Sequence, residues 1–256
     1  MEASNLELGS TSGKRVVILQ SNYIPWLGYF ALIASADVLV VLDSVKYTKN
    51  DWRNRNKLRS NSGSFWLTIP IDRASTNKSI YEATVSNLKW AQKHFTSIRE
   101  ALSGLRYSAQ LIEVLRAEYL SISDERLLHN INLRLIQTIC QLTSISTPVF
   151  FDTQLTSAEF LSPGTDPTLR IVNICRSLGA STYLTGGTAM QYLDFAQFKD
   201  SSINVEVADY SQLPVYRQKY GGFEPRVSIL DYLAAVGINQ ASEYLNSAAL
   251  PSTVIA

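Results

Sequence analysis

Two short β-branched runs open the patterned part of the chain. Arg15-Val16-Val17-Ile18-Leu19-Gln20 and Val38-Leu39-Val40-Val41-Leu42 are apolar stretches of strand length, the pattern of strands buried on both faces. Between them Ser21-Asn22-Tyr23-Ile24-Pro25 breaks the run, and Pro25 fits the first turn of a helix carrying Trp26, Leu27, Tyr29, Phe30, Leu32 and Ile33 as far as Ala36-Asp37. Strand, helix and strand in immediate succession predict a βαβ unit with parallel strands whose carboxyl ends share one edge. Gln20 to Asn22 should then lie beside Asp43.

Ser64 to Pro70 reads as a third strand and Ser79 to Val85 as a fourth. From Leu88 to Leu142 the period changes to that of a helix. Trp90, His94, Ile98 and Ala101 form one apolar stripe, Leu111, Ile112, Leu115 and Tyr119 a second, and Leu127, Leu128, Ile131, Leu135, Ile139 and Leu142 a third. Strand signals resume at Pro148 to Phe151. A helix from Thr168 to Leu178 closes at Gly179, the strand Thr182 to Leu184 follows, and Gly186-Gly187 opens a helix at Thr188. A last strand covers Asn204 to Val207, and a helix near Val227 to Val236 ends at Gly237. The expected fold is α/β, a mostly parallel Rossmann-like sheet with a helical insertion, a nucleotidyltransferase-like arrangement being the variant. Residues 14–240 form a single α/β domain in which 88–143 is the insertion. Residues 1–13 read as a disordered lead and 241–256 as a C-terminal tail.

Composition narrows the function classes. With 23 Lys and Arg against 22 Asp and Glu, the net charge of +1 lacks the basicity that long nucleic acid requires. No apolar run reaches the roughly 18 residues of a membrane span, so no membrane insertion is expected. Cys140 and Cys175 sit in apolar helical patterns without CxxC spacing, which suggests buried thiols and a cytoplasmic protein. No metal site is expected.

Chemistry must come from constellations, since GxGxxG, Walker, HExxH and GxSxG motifs are absent. The strand end Gln20-Ser21-Asn22-Tyr23, with Pro25 and Gly28 after it, offers amide groups in the crevice where open parallel sheets bind ligands. Its spacing is similar to nucleotidyltransferases of the HxGH type, with neither histidine present. Lys46 to Arg59 holds six cations against one acid. If Trp52 to Arg59 is extended, Arg53, Arg55, Lys57 and Arg59 face one way and Trp52, Asn54, Asn56 and Leu58 the other. Such a cluster suits phosphate or carboxylate. His94 shares its stripe with Trp90 and Ile98, so it is either packing or a proton-transfer group, whereas His129 lies off its stripe and is expected at the surface. Thr185-Gly186-Gly187, Tyr192-Leu193-Asp194 and Tyr210 form a late cluster at another strand end. Gly186 and Gly187 either face a ligand or serve a turn with positive φ.

The ordered set Gln20-Ser21-Asn22-Tyr23-Ile24-Pro25-Trp26-Leu27-Gly28-Tyr29-Phe30, Asp43, Asn54-Arg55-Asn56, Trp66-Leu67-Thr68-Ile69-Pro70, Trp90 with Lys93-His94, Thr182-Tyr183-Leu184 and Leu193-Asp194 resembles the WbqC-like protein family. Lys49, Trp52, Asn132, Tyr183 and Asp194 also fall on the family's pattern. Ser21 departs from it where proline is common. The resemblance implies bacterial surface polysaccharide assembly, notably O-antigen of lipopolysaccharide and its modified amino sugars.

These readings combine in an expected enzyme, an acyltransferase or aminoacyltransferase carrying a group from a thioester to the amine of a nucleotide-linked amino sugar. The donor would be a phosphopantetheine carrier (an acyl or peptidyl carrier protein) or coenzyme A, with no tightly bound cofactor. Amine attack needs a base, His94 or else Asp43, and an oxyanion donor from Gln20, Asn22 or Asn56. Arg55 with Lys49 or Arg53 would hold phosphate, with Tyr23, Trp52, Asn54, Gly186 and Gly187 completing the substrate site. The alternatives are a nucleotidyltransferase-like enzyme and a non-catalytic module binding a sugar nucleotide or carrier protein.

Overall fold

Apolar runs in β1 (Lys14–Leu19) and β2 (Val38–Val41) pair in parallel, Val16 opposite Val38, and α1 (Leu27–Ala34) crosses between them. The predicted βαβ unit is therefore present, with Pro25 one residue ahead of the N-cap Trp26 instead of inside the helix. The computed structural model describes residues 13–157, 164–247 and 249–256, so the expected lead, apart from Gly13, lies outside the described residues.

Beyond β2 the chain leaves the sheet. It forms an antiparallel hairpin of β3 (Arg55–Ser60) and β4 (Gly63–Thr68), then α2 (Trp90–Leu102), α3 (Ser108–Ser121) and α4 (Leu128–Leu142). It returns through β5 (Val149–Phe151), the short α5 (Asp152–Leu155), α6 (Pro167–Ser177), β6 (Ala180–Thr185), α7 (Phe195–Asp200) and β7 (Asn204–Ala208). The segment ends with α8 (Ile229–Val236), α9 (Ile238–Ser247) and β8 (Ser252–Val254). Strand order in the main sheet is β5-β2-β1-β6-β7-β8, parallel except for β8. The chain thus winds outward from β1 in one direction and resumes at β6 in the other, which gives a doubly wound α/β fold with its switch point between β1 and β6.

Alternate residues of the buried strands face opposite layers. Val17, Leu39 and Val41 pack with α1, the hairpin, α2 to α4, α8 and α9, whereas Val16, Ile18, Val38 and Val40 pack against Ile171, Cys175 and Phe198 of α6 and α7. Helices α6 and α8 end where the glycines predicted, Gly179 at φ +61° and Gly237 at φ +95°. Both cysteines are free thiols. Among the described residues no helix is long and apolar enough to cross a membrane.

Several sequence expectations need correction. The Ser64 to Pro70 strand belongs to the separate hairpin, and Ser79 to Val85 forms isolated bridges to Lys46, Ile71 and Leu127 instead of a strand. The predicted helix at Thr188 is a 3-10 turn over Gly187–Gln191. The expected tail at 241–256 is integral. Helix α9 buries Ala241 and Leu245, Leu250 is buried, and β8 closes the β7 edge. Ser252 Oγ donates to Glu206, which also pairs with Arg15 across the sheet. A chain ending at Ser247 should lose about 2–4 kcal/mol through the lost apolar burial and strand pairing, read as a lower urea midpoint.

Candidate functional site

All parallel strands deliver their carboxyl ends to one edge, and the switch point divides that edge in two. On the β6/β7 side lies a cavity of about 520 Å³. Asn22, Pro25 and Trp26 wall it from the loop after β1, Gly186 to Thr188 from the loop after β6, and Tyr210 from the loop after β7. Trp52, Asn56, Tyr216, Phe223 and Tyr232 complete a largely aromatic lining. On the β2/β5 side lies a polar cluster of buried Asp43, His129 and Asp152 with half-buried Ser44, which does not line the cavity. The β1 loop joins the two halves, since Asn22 faces the cavity while the adjacent Ser21 donates its N–H to Asp43 Oδ1 at 2.8 Å. The predicted neighbourhood of Gln20 to Asn22 and Asp43 is present.

The loop is held in an unfavourable shape. Ile24, β-branched and fully buried, has φ +37°. Asn56 of β3 donates its carboxamide hydrogens to the carbonyls of Tyr23 (3.1 Å) and Ile24 (2.8 Å), and Tyr23 N–H donates to Trp52 O (2.9 Å). Asn132 of α4 donates to Arg53 O (2.8 Å) and Ser21 Oγ (3.2 Å). Asn56 therefore borders the cavity as a brace, and its donors are not free to serve an oxyanion as the sequence reading allowed. Asn54 is buried and donates to Ile69 O, also bracing the hairpin. Gln20 and Asn22 differ. Gln20 Oε1 and Asn22 Oδ1 are buried without a partner among the described residues, and neither carboxamide donates a hydrogen bond there.

The cation run divides by use. Asn56 and Leu58 of β3 point inward while Arg55 and Lys57 lie over the ring of Trp66 at 4.1 and 5.2 Å, as the alternation predicted. Arg59 departs from it, being buried with its guanidinium on the carbonyls of Tyr220 and Gly222. Arg53 lies 3.3 Å from Asp51, and the Nε atoms of Arg53 and Arg55 are buried and unpartnered among the described residues. Lys49 is exposed and outside the cavity lining. Trp52 lines the cavity and packs on Trp66 at 5.3 Å.

Glycine at 186 leaves room for a neighbouring side chain and does not serve a special conformation. Its φ is −85°, yet a Cβ there would stand 2.9 Å from the Tyr210 hydroxyl. Gly28 similarly admits the ring of Trp26, which a Cβ would meet at 2.4 Å.

Both histidines are buried, His94 as its stripe suggested and His129 against expectation. His94 is buried behind the loop, its Nδ1 2.8 Å from Tyr23 Oη, which also pairs with Tyr119 Oη, and Trp90 packs against its ring. Burial drives the His94 pKa down to about 4, partly opposed by a hydrogen bond to the Thr68 backbone. Neither His94 nor Tyr23, predicted to bind substrate, lines the cavity. His129, expected at the surface, is 6% exposed, with Nδ1 2.7 Å from Asp43 Oδ2. Tyr81 packs on it tilted by 38° at 4.1 Å and Phe151 meets it edge-on at 5.5 Å. Asp152 has no exposed surface, takes the hydroxyl of Ser44, and is pushed above the usual carboxylate range by burial. The signal that could have found His129 was its spacing: three residues before Asn132, it shares that residue's helix face.

Two measurements follow. Asn56→Ala should cost about 2–3 kcal/mol by leaving two buried carbonyls without donors, read from denaturant midpoints. His94 binds a proton less readily folded than unfolded, so the protein should lose up to roughly 3 kcal/mol as pH falls from 6.5 towards 4. His94→Gln should flatten that slope; an unchanged slope would show that the ring is not buried in this way.

Among the described residues, no group of three His, Cys, Asp or Glu side chains could hold a metal ion. The chain is 37% identical over 235 residues to the uncharacterized protein Rv1507c of Mycobacterium tuberculosis, covering 91% of this chain and 97% of that protein. No solved structure matches it significantly. The sequence model of the WbqC-like protein family matches residues 20–243, the span that contains the β1 loop, the hairpin, the helical segment and both halves of the edge. The chain belongs to the WbqC-like protein family.

Proposed function

We propose that the protein is an acyltransferase or aminoacyltransferase that modifies the amine of a nucleotide-linked amino sugar used in a bacterial surface polysaccharide. One observation carries the reading: at the switch point an aromatic-walled cavity of about 520 Å³ is lined by Asn22, whose buried Oδ1 is unspent among the described residues, and the nearby chain also leaves Gln20 Oε1 and Arg53 Nε unspent. Unsatisfied buried polar atoms are costly, and a ligand that pairs with them recovers that cost. Aromatic walls suit a heterocyclic base or sugar ring, and guanidinium groups suit a diphosphate. The carboxamides of Gln20 and Asn22 would then meet the reacting end, where an amide donor can stabilise a tetrahedral oxyanion. A thioester supplies the acyl group, from coenzyme A or a phosphopantetheine carrier.

Mass spectrometry of nucleotide amino sugars incubated with the protein and acyl or aminoacyl thioesters tests this. The expected product gains the mass of the acyl group in place of one hydrogen, with stoichiometric release of free thiol. Magnesium-dependent pyrophosphate release in place of acylation would instead make the protein a nucleotidyltransferase-like enzyme. Thermal stabilisation by the nucleotide sugar without product from any donor would make it a binding module. Asn22→Ala should lower kcat by roughly 10²-fold through loss of the oxyanion donor, with the melting temperature nearly unchanged because Asn22 makes no hydrogen bond within the described residues.

A further inference from the structure

We propose that His129, held in its working tautomer by Asp43, is the proton acceptor of this site; the reaction it serves rests on the acyl-transfer reading above. Asp43 comes from the end of β2 and His129 from the first turn of α4, so the pair exists only where the helix crosses the carboxyl edge of the sheet. Asp43 has no exposed surface, and its two oxygens are divided between Ser21 N–H at 2.8 Å and His129 Nδ1 at 2.7 Å. A carboxylate oxygen facing Nδ1 accepts a hydrogen bond, which places the ring proton on Nδ1 and the lone pair on Nε2. Nε2 has no hydrogen-bond partner among the described residues. Tyr81 on one side of the ring and Phe151 at its edge fix the orientation.

The neighbouring carboxyl supports the same assignment. Asp152 is fully buried beside this pair, with Oδ1 unpartnered among the described residues, and burial raises its pKa. Asp43, in direct contact with the ring, is the carboxylate placed to balance an imidazolium. The other candidates are less suited. Asp43 has both oxygens occupied, and His94 has Nδ1 on Tyr23 and burial holding it neutral down to about pH 4.

In the proposed step, which requires the amine to extend past the β1 loop from the cavity to His129 Nε2, the sugar amine nitrogen bonds to the thioester carbonyl carbon, the carbonyl π pair moves to oxygen, and Nε2 takes a proton from that nitrogen. Collapse of the oxyanion restores the carbonyl and breaks the carbon–sulfur bond. The departing thiolate takes the proton back from the imidazolium, giving amide, thiol and neutral His129. Asp43 is a positioning residue that acts through the ring.

The chain contains two histidines, so selective ¹⁵N labelling gives two ring systems to resolve by NMR. Wild-type His129 should carry its proton on Nδ1, and Asp43→Asn, which presents an amide donor to Nδ1, should move it to Nε2. Saturation with UDP-glucosamine should shift the Nε2 resonance. A proton on Nε2 in the wild type, or an Nε2 resonance indifferent to this probe, overturns the proposal. In the transfer assay His129→Gln should lose about 10²–10⁴-fold in kcat with KM changed less than about threefold, and added imidazole should restore part of the turnover of His129→Gly. Wild-type turnover in His129→Gln also overturns it. If the wild type transfers no acyl group, the acyl-transfer reading falls and the two NMR arms, which need no turnover, decide the dyad.

Discussion

The carboxylate of Asp43 is the constraint around which the carboxyl edge of the sheet is arranged. An ionised group without exposed surface is tolerated only when its lone pairs are met by donors. Here the donors come from two elements distant in sequence: the backbone of Ser21 as the chain leaves β1, and the imidazole of His129 in α4. Satisfying one charge therefore fixes α4 over the ends of β1 and β2. Asn132, on the same face of that helix, extends the grip to Ser21 and Arg53 and so anchors the start of the hairpin.

A second brace works from the other side. The β1 loop could relax from the positive φ of Ile24 if its carbonyls were free, but Asn56 engages both Tyr23 and Ile24 from β3. Strain held by surrounding hydrogen bonds is characteristic of sites where a loop must present particular groups. What this loop presents is Ser21 inward to the polar cluster and Asn22 outward to the cavity. Consecutive residues of one loop thus touch both halves of the edge, Ser21 the polar cluster and Asn22 the cavity.

Much of this was legible in the chain. Continuous apolar runs identify β1 and β2 because a strand buried on both faces needs no alternation, and the intervening helix makes them parallel, which places Asp43 beside Ser21. Gly179 and Gly237 mark helix ends because the left-handed region is open to them. Alternation in the cation run separates the bracing Asn56 and Leu58 from the outward Arg55 and Lys57. The strand partners were not legible: Gly63 to Thr68 has strand character, yet nothing local decides whether it joins the main sheet or closes on β3. The same holds for Ser252 to Val254, whose few residues become a strand only because β7 offers an open edge.

The histidines draw the line most clearly. Apolar periodicity sorts side chains by their own helix, so His94, on the stripe, is rightly buried, and His129, off the stripe, reads as surface. A residue off the apolar stripe can still be buried when the surface facing it is polar, and only the packing of α4 over the strand ends supplies Asp43 as that surface. The α/β architecture, the shared carboxyl edge and the polar residues gathered there are written in the chain, because they follow from local periodicity and the handed connection of adjacent strands. Tertiary structure decided which of those groups are consumed as braces and which remain free, because burial and hydrogen-bond pairing depend on elements brought together across more than a hundred residues.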